Sequence, residues 1–115
     1  MNDNNLNNYL ITGKVVRGDS YGRKLGFPTA NLEVIERELP PEGVYAGTSH
    51  LEGIIYRSGI VIGPQNKIEA HLLGYDGDAY GKIITLKLDK FLRGYKKFDT
   101  EKELIAQIEK DLKQC

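Results

Sequence analysis

Cysteine is almost absent from this sequence. The one residue, Cys115, stands last, so no internal disulfide and no Cys-x-x-Cys or Cys/His metal spacing exists. That usage predicts a protein of the reducing cytoplasm. Tryptophan is missing, and neither sign of charge is in excess, with sixteen Lys+Arg against sixteen Asp+Glu. A balanced chain lacks the broad positive field that attracts a nucleic-acid backbone or an anionic membrane, so neither partner is expected and any anion must be held by a local site. No apolar run reaches the ~20 residues of a membrane-spanning helix. The opening Met1-Asn2-Asp3-Asn4-Asn5-Leu6-Asn7-Asn8 lacks the basic and apolar regions of a signal peptide. Residues 1–8 are expected to form a disordered tail and 9–115 one domain, soluble and monomeric.

What is present is a series of short β-rich runs. Tyr9 to Val16, Gly43 to His50, Ile54 to Ile62, Ile68 to Tyr75 and Lys82 to Leu92 are β-branched or alternating, and brief turns such as Leu51-Glu52-Gly53 separate them. Short turns imply antiparallel neighbours. In the last run Ile84, Leu86 and Leu88 share one face and Thr85, Lys87 and Asp89 the other, so one side is buried and one wet. With five or six such strands, a closed barrel removes the edges. The period then changes. Thr100-Glu101-Lys102-Glu103 reads as a capping box in which the hydroxyl and the carboxylate each satisfy a free backbone N–H. Leu104, Ile105, Ile108 and Leu112 follow as one apolar helical stripe.

The candidate chemistry lies in residues 13–32. Glycines at 18, 22 and 26 suit a backbone that bends at positive φ around a phosphate, with Arg23 and Lys24 supplying charge. The spacing fits neither a P-loop nor a dinucleotide fingerprint, and by itself a Gly/basic stretch is more often a surface turn. The string Leu25-Gly26-Phe27-Pro28-Thr29-Ala30-Asn31-Leu32, preceded by Gly-x-x-x-Gly-Arg-Lys, resembles the signature of the riboflavin kinase family, including the kinase half of bifunctional flavokinase/FAD synthetases. The resemblance continues in order through Leu39-Pro40-Pro41-Glu42-Gly43-Val44-Tyr45-Ala46, Ile68-Glu69-Ala70-His71-Leu72-Leu73, Tyr80-Gly81-Lys82, Phe91-Leu92-Arg93 and Lys97-Phe98. It implies a mainly β fold, a six-stranded antiparallel closed barrel with a C-terminal α-helix.

It also implies an ATP-dependent kinase that converts riboflavin to FMN with Mg²⁺. By that resemblance Thr29 and Asn31 hold the metal, and Gly18, Gly22, Lys24, Gly26, Thr29 and Tyr80 contact ATP. Glu69 is the catalytic base, and Arg93, Lys96 and Phe98 lie near the flavin. Two neutral oxygen ligands plus phosphate oxygens suit Mg²⁺, which prefers hard donors and keeps waters. Each residue also has a plainer reading. Thr29 and Asn31 serve as turn residues, Glu69 belongs to a wet strand face, Tyr80 is a cross-strand aromatic, and Phe98 is a hydrophobic staple beside Thr100. His71 is expected to be a structural neighbour of Glu69, and His50 to be solvated.

One departure stands out. Members of the family carry a longer loop ahead of the catalytic strand, whereas here Gly63-Pro64-Gln65-Asn66-Lys67 leads straight to Ile68-Glu69. A short loop excludes less water and predicts looser flavin binding. No His-x-Gly-His occurs, so FAD synthesis is not expected from this chain. The competing readings are a flavin- or nucleotide-binding module of weakened turnover and an oligonucleotide-binding barrel; zero net charge and the lack of Trp weigh against the second.

Overall fold

Period-two alternation determines the architecture. In the computed structural model, which describes residues 9–17, 26–34, 39–75 and 77–115, Ile84, Leu86 and Leu88 are fully buried while the residues between them face outward. Ile11, Gly13 and Val15 alternate in the same way. The elements are β1 (Leu10–Val16), β2 (Ala30–Val34), β3 (Gly43–Leu51), β4 (Ile54–Ile62), β5 (Ile68–Leu72), β6 (Ile83–Arg93) and a C-terminal helix, α1 (Glu101–Leu112). All neighbours are antiparallel, and the order β1-β2-β5-β4-β3-β6 closes on itself. The expected six-stranded barrel with one C-terminal helix is therefore the fold. Among the described residues its interior is one cluster that includes Ile11, Leu32, Tyr45, Ile60, Ile68 and Leu86.

Two elements differ from the sequence pattern by more than one residue at an end. Strand β2 was hidden inside the Thr29–Leu32 motif, because Ala30 and Asn31 are weak strand formers and Leu32 is its one buried residue. Strand β5 stops at Leu72 rather than Tyr75, since Gly74 turns the chain at φ 84°.

Closure needs curvature, and β6 supplies it. Against β3, the pairing steps from Arg93 to Phe91 and from Lys90 to Leu88, which leaves Leu92 and Asp89 as extra residues in two bulges. The strands approach so closely here that a Cβ on Gly47 would collide with the Lys87 carbonyl oxygen. At the other end of β3, Glu52 and Gly53 both adopt positive φ, as a two-residue hairpin connection requires. Inside the barrel, the Ser49 and Ser58 hydroxyls share one hydrogen bond at 2.7 Å, and the Ser58 hydroxyl also donates to the Tyr56 carbonyl at 3.3 Å.

Helix α1 starts where the capping residues place it. The Thr100 hydroxyl accepts from the Glu103 N–H at 3.2 Å; the Glu103 carboxylate, however, accepts from that same hydroxyl at 3.1 Å rather than from a backbone N–H. The apolar stripe is only half-buried, and the one buried residue of the helix is Asp111. Its carboxylate takes both Nε (3.1 Å) and Nη2 (2.9 Å) of Arg93, and Gln107 Nε2 donates to it at 2.8 Å. The helix docks on β4 at Gly59, where an added Cβ would lie 3.1 Å from Leu112 and 3.6 Å from the Cys115 sulfur. Burial pushes the Cys115 thiol up, so the lone cysteine is a neutral packing group.

Removing the Asp111 carboxylate leaves a partly buried guanidinium without its partner. Asp111→Ala is expected to cost about 3 kcal/mol in urea unfolding followed by circular dichroism. A loss below about 1 kcal/mol would mean that the apolar stripe alone holds the helix.

Candidate active site

Register brings the signature residues together. Strand β2 pairs with β5 so that Asn31 lies directly opposite Glu69 and Ala30 opposite Ala70. Opposed residues share a face, and with Ile68, Ala70 and Leu72 buried inward, Glu69, Asn31 and His71 lie on the outer side. The segment that enters β2 is held at two points. The Thr29 hydroxyl donates to Glu69 Oε1 at 3.0 Å, and His71 Nδ1 lies 2.6 Å from the Pro28 carbonyl oxygen. The Phe27 ring meets the His71 ring edge-on at 6.1 Å.

The direction of the Thr29 bond matters chemically. A hydroxyl whose proton is committed to a carboxylate keeps its lone pairs for another partner, such as a cation. The second oxygen of Glu69 lies 3.7 Å from Lys67 Nζ. Lys67 closes the short link between β4 and β5: Gly63 N–H donates to its carbonyl at 2.7 Å around a single 3₁₀ turn, Pro64–Asn66. Gln65 and Asn66 adopt φ of 61° there. The link is thus a tight turn with no length to fold over a ligand.

A cavity of about 720 Å³ opens where β1 and β5 end and β2 begins. Val15, Ala70 and Leu72 make its apolar floor, and Thr29, Asn31 and Arg17 bring polar groups to it. This size and mixture suit a small organic ligand. Tyr80 forms part of the wall, with the Arg17 guanidinium 4.2 Å from its ring centroid. Tyr80 N–H also donates to the Asp78 carboxylate at 2.9 Å, which tightens the loop ahead of β6.

Thr29, Asn31 and Tyr80 line the cavity, and Glu69 is bonded to its rim through Thr29. Gly26 has a φ of 90°, the left-handed geometry for which a glycine is suited. Gly18, Gly22 and Lys24 lie outside the described residues. Arg93, Lys96 and Phe98 form a separate cluster, with Arg93 5.6 Å and Lys96 5.2 Å from the Phe98 ring. Arg93 spends three of its five N–H groups on Asp111 and on the Gly94 carbonyl. This cluster brackets Tyr95, whose ring lies 3.5 Å from where a Gly63 Cβ would be, beside the Gly63–Lys67 turn. Sequence reasoning missed Arg17 and the His71–Pro28 contact. Arg17 borders the Gly-rich stretch, but only Arg23 and Lys24 had been credited with its charge.

Among the described residues no group of three or more His, Cys, Asp or Glu side chains is arranged to hold a metal ion. A cation here would need ligand oxygens of its substrate beside Thr29 and Asn31, the coordination habit of Mg²⁺.

Comparison with known proteins bears directly on this geometry. The flavokinase (riboflavin kinase) family model matches residues 6–115. The chain belongs to the riboflavin kinase family. A bifunctional riboflavin kinase/FMN adenylyltransferase of Bacillus subtilis is 38% identical over 114 residues, which cover 90% of this chain and 36% of that one. The chain thus spans about a third of the length of this relative. Among solved structures, a Streptococcus pneumoniae protein described as a macrolide-efflux protein matches with a TM-score of 0.86 at 28% identity, covering 90% of this chain and 37% of the other. Riboflavin kinase from Trypanosoma brucei matches with a TM-score of 0.68 at 22% identity, over 90% of this chain and 74% of that one, a likeness of fold.

The Thr29–Glu69 bond should be measurable by itself. In a double-mutant cycle of Thr29→Val and Glu69→Gln, thermal unfolding is expected to give a coupling of about 1 kcal/mol. A coupling near zero would show that the two side chains do not interact in solution.

Proposed function

We propose that this riboflavin kinase family member transfers the γ-phosphate of ATP to the ribityl 5′-hydroxyl of riboflavin, giving FMN and ADP in the cytoplasm. The observation that carries this reading is the Glu69 carboxylate, bonded to Thr29 at the cavity rim and in register with Asn31. The cavity with Tyr80 and Arg17 on its wall takes the nucleotide. Backbone amides of the segment from Gly18 to Gly26, with Lys24, would cover the phosphates. Thr29 and Asn31 would hold Mg²⁺, which supplies charge neutralisation at the phosphates.

Glu69 accepts the proton of the ribityl hydroxyl as that oxygen attacks the γ-phosphorus and the bond to the bridging oxygen of ADP breaks. Its Oε1 is occupied by Thr29, so Oε2 is the oxygen for this proton, with Lys67 displaced or shared. Lys96 and Phe98 supply a cation and an aromatic face for the isoalloxazine ring, and Arg93 orients Phe98 while presenting its two remaining N–H groups to the flavin or the product phosphate.

Incubation with riboflavin, ATP and Mg²⁺ followed by chromatography is expected to yield FMN and ADP in equal amounts, and chelation of the divalent ion should abolish both. Riboflavin should wash out during gel filtration in the absence of nucleotide, because the tight Gly63–Lys67 turn cannot cover it. Riboflavin binding with no FMN formed would favour a binding module and overturn the kinase reading.

A further inference from the structure

We propose that His71 is a positioning residue: its Nδ1–H donates to the Pro28 carbonyl and thereby sets the placement of Thr29, so that the nucleotide and metal end of the site depends on which ring nitrogen of His71 carries a proton. The inference deepens the kinase reading and, in its catalytic consequence, rests on it. The geometry is local. His71 and Glu69 are two residues apart on β5 and project from the same face, so together they grip consecutive residues of the facing segment. Glu69 takes the Thr29 hydroxyl at 3.0 Å and His71 meets the Pro28 carbonyl at 2.6 Å.

A carbonyl oxygen only accepts. The proton in the His71 contact must therefore be on Nδ1, which leaves Nε2 as the unprotonated nitrogen of the neutral ring. The Pro28 carbonyl belongs to the peptide that leads into Thr29, and a peptide is planar. Fixing its oxygen fixes the direction in which the Thr29 Cα emerges, and the bond to Glu69 then orients the hydroxyl. Pro28 has no N–H and a locked φ, so this segment has few other anchors. The edge-on Phe27 ring packs against His71 from the same segment. On the other side, β4 places Gly59 opposite His71, and Gly59 is where Leu112 and the Cys115 sulfur of the helix end arrive. The imidazole thus joins the signature segment to the strand bearing the carboxylate.

Nothing in this arrangement brings His71 to the transferred phosphoryl group. Its loss should loosen the Thr29 end of the site and leave the flavin end alone. Two substitutions separate donor from bulk. His71→Asn keeps an N–H near the Nδ1 position, while His71→Phe keeps an aromatic ring without a donor.

Long-range ¹⁵N–¹H spectra of the wild-type imidazole are expected to show a proton on Nδ1; a ring protonated on Nε2 alone would overturn the proposal. In kinetics, His71→Phe should raise the KM for Mg·ATP about tenfold, the scale of one lost hydrogen bond, with kcat and the riboflavin KM within about twofold of wild type. His71→Asn should restore most of the Mg·ATP affinity. Unchanged KM in His71→Phe, or equal damage in both variants, would also overturn it. If His71→Phe does not fold, the wild-type tautomer and the His71→Asn kinetics still decide the question. The tautomer is read without substrate, so failure of the kinase reading, seen as no FMN from the wild type, is distinguishable from failure of this one.

Discussion

The pairing of β2 with β5 is the constraint on which the candidate site depends. Side chains alternate across a sheet, so a slip of one residue would turn Glu69 and Asn31 into the barrel and bring Ile68 and Ala70 out. The core prevents this. Ile68 and Ala70 are buried at 1% and 0% exposure and Leu32 at 6%, and any slip would trade that apolar burial for a carboxylate and an amide. Hydrophobic packing inside the barrel therefore holds a polar constellation on its outside. Thr29 reaches Glu69 because β2, the strand it leads into, is held in that register.

A second constraint acts on the C-terminal end. The bulges at Asp89 and Leu92 curve β6, and its last residue, Arg93, ends in a multidentate pair with the buried Asp111. That pair links the helix, the basic and aromatic stretch up to Phe98 and the barrel wall. The same guanidinium faces Phe98, so docking of the helix and arrangement of the second cluster are one event. The tight Gly63–Lys67 turn lies beside Tyr95 on one side and places Lys67 near Glu69 on the other.

Most of this architecture is legible in the sequence because it rests on local, periodic signals. Ile84, Leu86 and Leu88 announce their strand, and Thr100 its helix. What is not legible depends on distant partners. Five residues containing Ala30 and Asn31 carry too little strand propensity to be recognised apart from the neighbours that pair with them. Asp111 reads as an ordinary polar residue of an exposed helix face until Arg93, eighteen positions earlier, is seen to pair with it. His71 reads as a bystander because its partner is a backbone carbonyl forty-three residues away, and backbone acceptors leave no mark in residue identity. The motif residues themselves were recognisable from their order along the chain, but their mutual geometry came only from the register.

The central claim is that the carboxylate held by this register takes the proton of the attacking hydroxyl. The most direct measurement is single-turnover FMN formation by Glu69→Gln at saturating Mg·ATP and riboflavin, where slow product release cannot hide the chemical step. The account predicts a rate lower by about 10²–10⁴, with riboflavin and nucleotide binding little changed, because the amide keeps the size of the side chain and loses the proton acceptor. A rate within about threefold of wild type would contradict it and remove Glu69 from the chemistry.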